Sequence, residues 1–222
     1  MTNNYFPLAT LYLPDAFEYK NGRLMGRHAA GLSYLRAIAE GDYDSAGFLI
    51  PGKPDNQNFI NMFSSLVPKG KEMNVELFNY DRLSNSNKYG GLFIHDPQIG
   101  NFGLYRSQFG NISFSIVGIT HTTMSLGVIN FISDLYSKPA MEWDALVCTS
   151  SSVKSSILKI TDYQEEFLKK KFGANTFVKP QLPVIPLGIH NKDFNFTVSQ
   201  RDEVRKKMGI NEDDIVLIFV GR

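Results

Sequence analysis

Residues 183–222 read PVIPLGIHNKDFNFTVSQRDEVRKKMGINEDDIVLIFVGR. Positions 184–187 form a short apolar run closed by Gly188, the pattern of a buried strand ending in a tight turn. After a polar connector comes a helix signal. Ser199 stands at a capping position, Val204 and Met208 fall on one face, Lys206 and Lys207 occupy the last turn, and Gly209 ends it. Positions 215–220 are apolar again. Strand, helix and strand in that order are the building unit of α/β proteins. The spacing predicts a first domain over residues 1–190 and, over residues 191–222, the crossing into a second domain with its first helix and strand.

Working back from that joint, strand-like runs alternate with helix-like ones. Apolar runs at 8–13, 46–50, 75–80, 91–94, 113–120, 145–148 and 184–187 are bounded by Pro, Gly or Asp, as strands are. Between them, Ala29, Leu32, Leu35, Ile38 and Ala39 recur at helical spacing. So do Phe59, Met62, Phe63 and Leu66, and then Leu126, Ile129, Ile132 and Leu135. Ser150, Ser151 and Ser152 can cap a long helix that presents Val153, Ile157, Ile160, Phe167 and Phe172 on one face and closes at Gly173. Residues 84–87 read as a polar loop, and residues 98–111, with three glycines, fit a short helix or a loop. The alternation predicts an α/β, Rossmann-like parallel sheet with helices on both faces.

Bulk properties narrow the function. Of 222 residues, 43% are hydrophobic and 20% charged, which is a globular rather than a disordered composition. A net charge of +1 offers no basic excess for nucleic acid, and the cluster Lys169-Lys170-Lys171 reads as a solvated helix end. Cys148 is the sole cysteine, so there is no internal disulfide and no multi-cysteine metal site. The N-terminal residues lack a basic segment followed by an apolar one, and no run approaches a membrane span. The reading is cytoplasmic, with peripheral membrane contact left open.

The four histidines carry the first functional signal. His95, His121 and His190 each follow an expected strand, and His28 lies at the loop-to-helix junction after the first one. In an open parallel sheet the loops beyond the carboxyl ends of the strands form the binding crevice, so these positions predict a shared edge. Metal binding finds little support there. No His-x-His pair or helical histidine spacing occurs, and Asp96 is the only adjacent carboxylate. Phosphate binding suits the edge better. Gly22-Arg23-Leu24-Met25-Gly26 precedes a helix, where backbone N–H groups can face a diphosphate and Arg23 or Arg27 can add charge-assisted hydrogen bonds. A plain connecting loop fits the same residues.

Pro186-Leu187-Gly188-Ile189, Phe194, Arg205, Met208-Gly209-Ile210 and Ile218-Phe219-Val220-Gly221-Arg222, in that order, resemble the interdomain crossing of GT-B glycosyltransferases, and more narrowly of the GT4 family. Ile119-Thr120-His121-Thr122 resembles that family's strand-end histidine, and Trp143 to Ser150 its last strand and serine-capped helix. The resemblance implies a retaining, metal-independent transfer of sugar from a nucleotide-sugar donor to a glycan, lipid or other hydroxyl acceptor, with no cofactor. It assigns His121 to the sugar in the transition state and the loop of Gly22, Gly26 and Arg27 to the donor phosphates. By position, His28 and Asp96 fall on the acceptor side. Two departures stand out. The adjacent glycines usual in the phosphate loop are three residues apart here, and His190 replaces a common aspartate. The family's paired glutamates and basic phosphate clamp belong to the C-terminal domain, beyond Arg222. The chain by itself is therefore expected to be inactive, and the bare apolar strand within residues 195–222 is expected to self-associate. The competing reading is a non-catalytic, doubly wound module that binds a nucleotide or a protein. A Ser-His hydrolase has no Gly-x-Ser-x-Gly elbow to support it.

Overall fold

The computed structural model describes residues 4–18, 26–52 and 57–219. Six of the apolar runs pair as strands: β1 (Ala9–Leu11), β2 (Ser45–Leu49), β3 (Asn74–Phe78), β4 (Gly91–Ile94), β5 (Ser115–Thr120) and β6 (Ala145–Cys148). All pairings are parallel, in the order β3-β2-β1-β4-β5-β6. The order reverses between β1 and β4, and that makes this boundary the topological switch point. Residues Met1–Leu187 form one unit and Gly188–Arg222 a second, each described separately below.

Strands covered on both faces must be apolar on both, as the inner strands largely are, whereas the edge strand β3 carries Asn74 and Glu76. One face, with Ala9, Leu11, Leu92, Ile94, Ile116, Leu146 and Cys148, packs against α4 (Ile99–Ser107), α5 (Leu126–Ser133) and α6 (Ser151–Phe172). The other, with Tyr12, Ala46, Phe48 and Ile50, packs against α1 (Pro14–Phe17), α2 (Gly26–Glu40) and α3 (Gln57–Leu66). Phe48 meets Phe59 and Phe63 of α3 edge-on, with ring centroids 4.7 and 4.9 Å apart.

The expected polar loop at 84–87 lies instead inside a 3-10 segment, Tyr80–Tyr89. The open segment 98–111 contains α4. Within α4, Gly100 and Gly103 are packing positions, because a side chain at Gly103 would meet the carbonyl of Pro139 and one at Gly100 would crowd Lys138. Burial of α2 falls on His28, Gly31, Leu35, Ile38 and Ala39, whereas Ala29 and Leu32, expected inward, are exposed. Gly31 turns the stripe, because its missing side chain lets α2 rest on the Ala16 carbonyl. In α5, Leu126 is also exposed rather than inward, while Ile132 is buried, as is Leu135 in the 3-10 turn that follows. Ser150 caps α6, its hydroxyl accepting from the Val153 amide at 3.2 Å, and Gly173 ends it at φ 67°. The expected apolar face of α6 is buried only near Ile157, whereas Phe167 and Phe172 are exposed. A helix of 22 residues runs about 33 Å, far past a four-residue strand.

The expected seventh strand at 184–187 is not formed, nor is it buried. Two isolated bridges, Ala145–Gln181 and Cys148–Val184, with backbone hydrogen bonds from Leu146 to Gln181, from Cys148 to Pro183 and from Ile185 to Cys148, join this segment to β6 without making a continuous strand, and Val184, Ile185 and Leu187 are exposed. Pro183 and Pro186 lack the N–H groups that a ladder requires.

One buried ion pair locks α4 to the β6 edge. Arg106 and Asp144, both fully buried, meet at 2.5 and 2.8 Å. Arg106 also donates to the carbonyls of Phe114 and Pro139, and Asp144 accepts from the amides of Ile116 and Met141. Such a pair holds only when its remaining hydrogen-bonding capacity is met, as it largely is here.

In the second unit, α7 (Val198–Lys207) is capped by Thr197 rather than by Ser199. The Thr197 hydroxyl accepts from the Gln200 amide at 3.2 Å while the Gln200 side chain accepts from the Thr197 amide at 2.8 Å. The capping box requires Gln or Glu three residues on, and that favours Thr197. Gly209, at φ 68°, follows the helix. Residues 215–219 pair with no strand among the described residues, and Val220, Gly221 and Arg222 lie outside them.

Candidate functional site

The switch point gathers residues from the ends of β1, β4 and β5. After β1 the chain turns into α1 at Pro14, carrying Asp15 and Phe17, and α2 then begins with Gly26, Arg27 and His28. Arg27 reaches Asp15 at 3.5 Å. His95 follows β4, and its Nε2 lies 3.2 Å from the backbone oxygen of Arg27. A carbonyl can only accept, so Nε2 carries the proton and Nδ1 is left as a bare acceptor. That nitrogen is buried with no hydrogen-bond partner among the described residues.

His121, at the end of β5, stacks at a tilt against His95 with ring centroids 4.3 Å apart. Its Nε2 is likewise buried and without a partner among the described residues, as are Arg27 Nε and the hydroxyl of Thr120. Phe17 closes one side, its ring 5.2 Å from that of His95. Burial, reinforced by His121 and by the Arg27 charge, pushes His95 down to about 4. Burial and then Arg27 bring His121 to about 4 as well. Both rings are therefore neutral at pH 7, able to donate through one nitrogen and accept through the other.

Asp96 lies beside them. Burial raises its carboxyl above the usual range against the lowering pull of Arg27, and Oδ1 accepts from the Gln98 amide at 3.2 Å. Gly118 fixes this loop. A side chain there would come within 2.7 Å of the Asp96 carbonyl and 2.6 Å of Ile99, so β5 approaches the turn after β4 only because position 118 is bare.

The structure thus brings Arg27, His95, Asp96 and His121 together. His28 is buried in the first turn of α2, Gly26 is the first residue of that helix rather than part of the loop before it, and Gly22 lies outside the described residues. His190 belongs to the second unit. Asp15, Phe17 and Thr120 are the members that sequence reasoning did not single out. Pro14-Asp15 at a strand end and the β-branched Thr120 at another marked strand boundaries, with nothing to distinguish them from ordinary ones. Among the described residues, no group of three or more His, Cys, Asp or Glu side chains is placed to hold a metal ion. No helix among them is long and apolar enough to cross a membrane.

No family model matches the sequence, and no curated protein does. Among solved structures, the chain is similar to the Anabaena protein Alr3699/HepE in complex with UDP-glucose and in complex with UDP. The TM-score is 0.51 in both comparisons, with 12% and 11% identity. Each match covers 91% of this chain and 50% of the other, so the chain spans half the length of the protein it resembles. At such identity the likeness is one of fold.

Proposed function

We propose that the chain is the acceptor-side half of a glycosyltransferase of the GT-B fold, with a retaining, metal-independent chemistry of the GT4 kind. The observation that supports this reading is the neutral pair His95–His121 at the switch point, each ring with a buried nitrogen that has no partner among the described residues, beside the cation Arg27. Unsatisfied buried polar atoms cost free energy, and a cluster of them in a crevice suits a polyhydroxylated ligand that supplies both donors and acceptors. The fold shared with a protein captured with UDP-glucose and UDP points to a nucleotide sugar as the donor.

In this mechanism the acceptor hydroxyl attacks the anomeric carbon on the face from which the nucleoside diphosphate departs. The bond from that carbon to the phosphate oxygen breaks with its electron pair on the diphosphate, and the hydroxyl proton follows. His121 hydrogen-bonds the sugar as positive charge develops. It does so as a neutral ring, which avoids placing a cation beside a cation-like transition state. Arg27, with Gly26 at the start of α2, faces the donor phosphates, while His28 and Asp96 contact the acceptor. The whole enzyme needs a second domain to close over the donor and exclude water, so the chain alone binds nucleotide sugars weakly.

The test pairs the chain with a version carrying the second domain. In the two-domain protein, His121→Ala is expected to lower sugar transfer about 10²–10³-fold while donor affinity changes little. The chain alone should show no thermal shift with UDP-glucose or other nucleotide sugars. Transfer undiminished in His121→Ala sinks the assignment, and tight donor binding by the chain alone favours a stand-alone nucleotide-binding module.

A further inference from the structure

A cleft of about 390 Å³ opens on the sheet face that carries α4, next to the switch point. The same face holds Tyr80 after β3, and Phe102 and Tyr105 of α4. Tyr80 and Tyr105 stack with centroids 5.6 Å apart at 29°, and Phe102 lies 6.4 and 5.9 Å from them. In a soluble domain, exposed aromatic residues gathered over one cavity mark a binding surface more often than chance contacts do. Both tyrosines are open to solvent, Tyr80 at 36% and Tyr105 at 48%.

Three amide side chains, Gln98, Asn101 and Gln108, and two leucines, Leu13 and Leu104, complete the lining, and none of these lining residues is charged. Asn101 is held in one orientation. Its oxygen accepts from the Lys138 ammonium at 2.6 Å, and its nitrogen points to Gln98 Oε1 at 3.4 Å. Lys138 is itself neutralised by Asp134 at 2.6 Å and does not face the cleft as a free charge. The backbone of Gln98 bonds Asp96, so this cleft adjoins the candidate site.

Aromatic faces pack against the C–H face of a sugar ring, and primary amides pair with its hydroxyls as both donors and acceptors. A nucleoside diphosphate could stack on the same tyrosines, but its phosphates require cations that this lining lacks. We infer that the cleft formed by Tyr80, Tyr105, Phe102, Gln98, Asn101 and Gln108 binds an uncharged saccharide chain, and serves as an acceptor subsite that leads the chain end toward Asp96 and His121. Its role as an acceptor subsite rests on the glycosyl-transfer reading above. The binding itself does not.

The test is saturation-transfer NMR on the chain with cellotetraose, maltotetraose, mannotetraose and xylotetraose at millimolar concentration. UMP provides a nucleotide arm. At least one tetrasaccharide should bind, with affinity lowered about tenfold by Tyr105→Ala and about threefold by Gln108→Ala. Gln108 is exposed and outside the ring cluster, so that variant probes the cleft even if Tyr105→Ala disturbs packing. If no tetrasaccharide binds, if neither cleft variant weakens binding, or if UMP alone occupies these residues, the inference is overturned. Donor binding by the two-domain protein separates the two readings. Its loss with saccharide binding intact removes the transferase reading, and the converse result removes this one.

Discussion

Two short apolar runs, 145–148 and 215–219, are nearly interchangeable as sequence, and their structures differ. Ala145-Leu146-Val147-Cys148 is a strand paired with β5 and largely buried. Ile215-Val216-Leu217-Ile218-Phe219 pairs with no strand among the described residues, and its side chains are 91%, 40%, 93%, 79% and 91% exposed. A strand is not a local object. Its N–H and C=O groups need a neighbour, and its side chains need a covered face. The same contrast separates α6 from α7. Both have hydroxyl caps and a following glycine in the left-handed region, yet α7 buries no residue at all. Caps set where a helix starts, whereas packing supplies most of its stability.

The first unit should fail as a whole when its internal ties are cut, and the sharpest cut is at Arg106. Arg106→Met leaves the Asp144 carboxylate fully buried without its partner, and removing one member of a buried pair costs about 3–5 kcal/mol. Chemical denaturation should show that loss as a shift in midpoint. The double variant Arg106→Met, Asp144→Asn should recover part of it, because no charge is then stranded. A loss below about 1 kcal/mol in the single variant would mean that α4 is not tied to the β6 edge as described.

A smaller effect follows from the histidine pair. His95 and His121 both titrate near 4 in the folded chain, below the ordinary histidine value of about 6.5. Above that value both states are neutral and stability is flat. As the pH falls from about 6.5 toward 4 the unfolded chain takes up protons that the folded one refuses, and stability drops, on the order of 2–3 kcal/mol for the more buried His95. Asp96 works in the opposite sense. Its raised carboxyl lets the folded state bind a proton first, so the slope should ease toward the acid end. Unfolding followed between pH 7 and about 5 tests this, and His95→Gln together with His121→Gln should flatten the curve. A wild-type curve already flat in that range would show that the rings are hydrated rather than buried.

The contrast also explains what was legible in the sequence. The strands β4 and β6 read correctly to the residue, because Gly91, Pro97 and Asp144 punctuate short apolar runs that have a paired neighbour in the sheet. The parallel sheet, the placement of His95 and His121 at strand ends and the cap at Ser150 followed from the same local signals. What could not be read was tertiary. Gly31, Gly103 and Gly118 look like helix or strand breakers in the sequence and are close-approach positions in the fold. The Arg106–Asp144 pair spans 38 residues and leaves no mark in local spacing. Phe167 and Phe172 keep helical period beyond the sheet that would bury them, and Pro183 and Pro186 remove a strand that hydropathy alone suggests.

The smallest effect on stability should come from the other member of the comparison. Leu217 and Phe219 are more than nine-tenths exposed, so replacing both with lysine removes no buried contact and should change unfolding free energy by less than about 0.5 kcal/mol. The consequence should appear in association instead. An apolar run with bare backbone edges is a template for pairing with another chain, and lysine on an edge is how natural sheets prevent it. Sedimentation velocity over a concentration series should therefore show self-association in the wild-type chain and less of it in Leu217→Lys, Phe219→Lys. If the double variant unfolds several degrees earlier, residues 215–219 are packed within the chain, and the distinction between a strand with neighbours and one without them fails. If both proteins stay monomeric throughout, the run is exposed but not adhesive, and backbone pairing is not what it lacks.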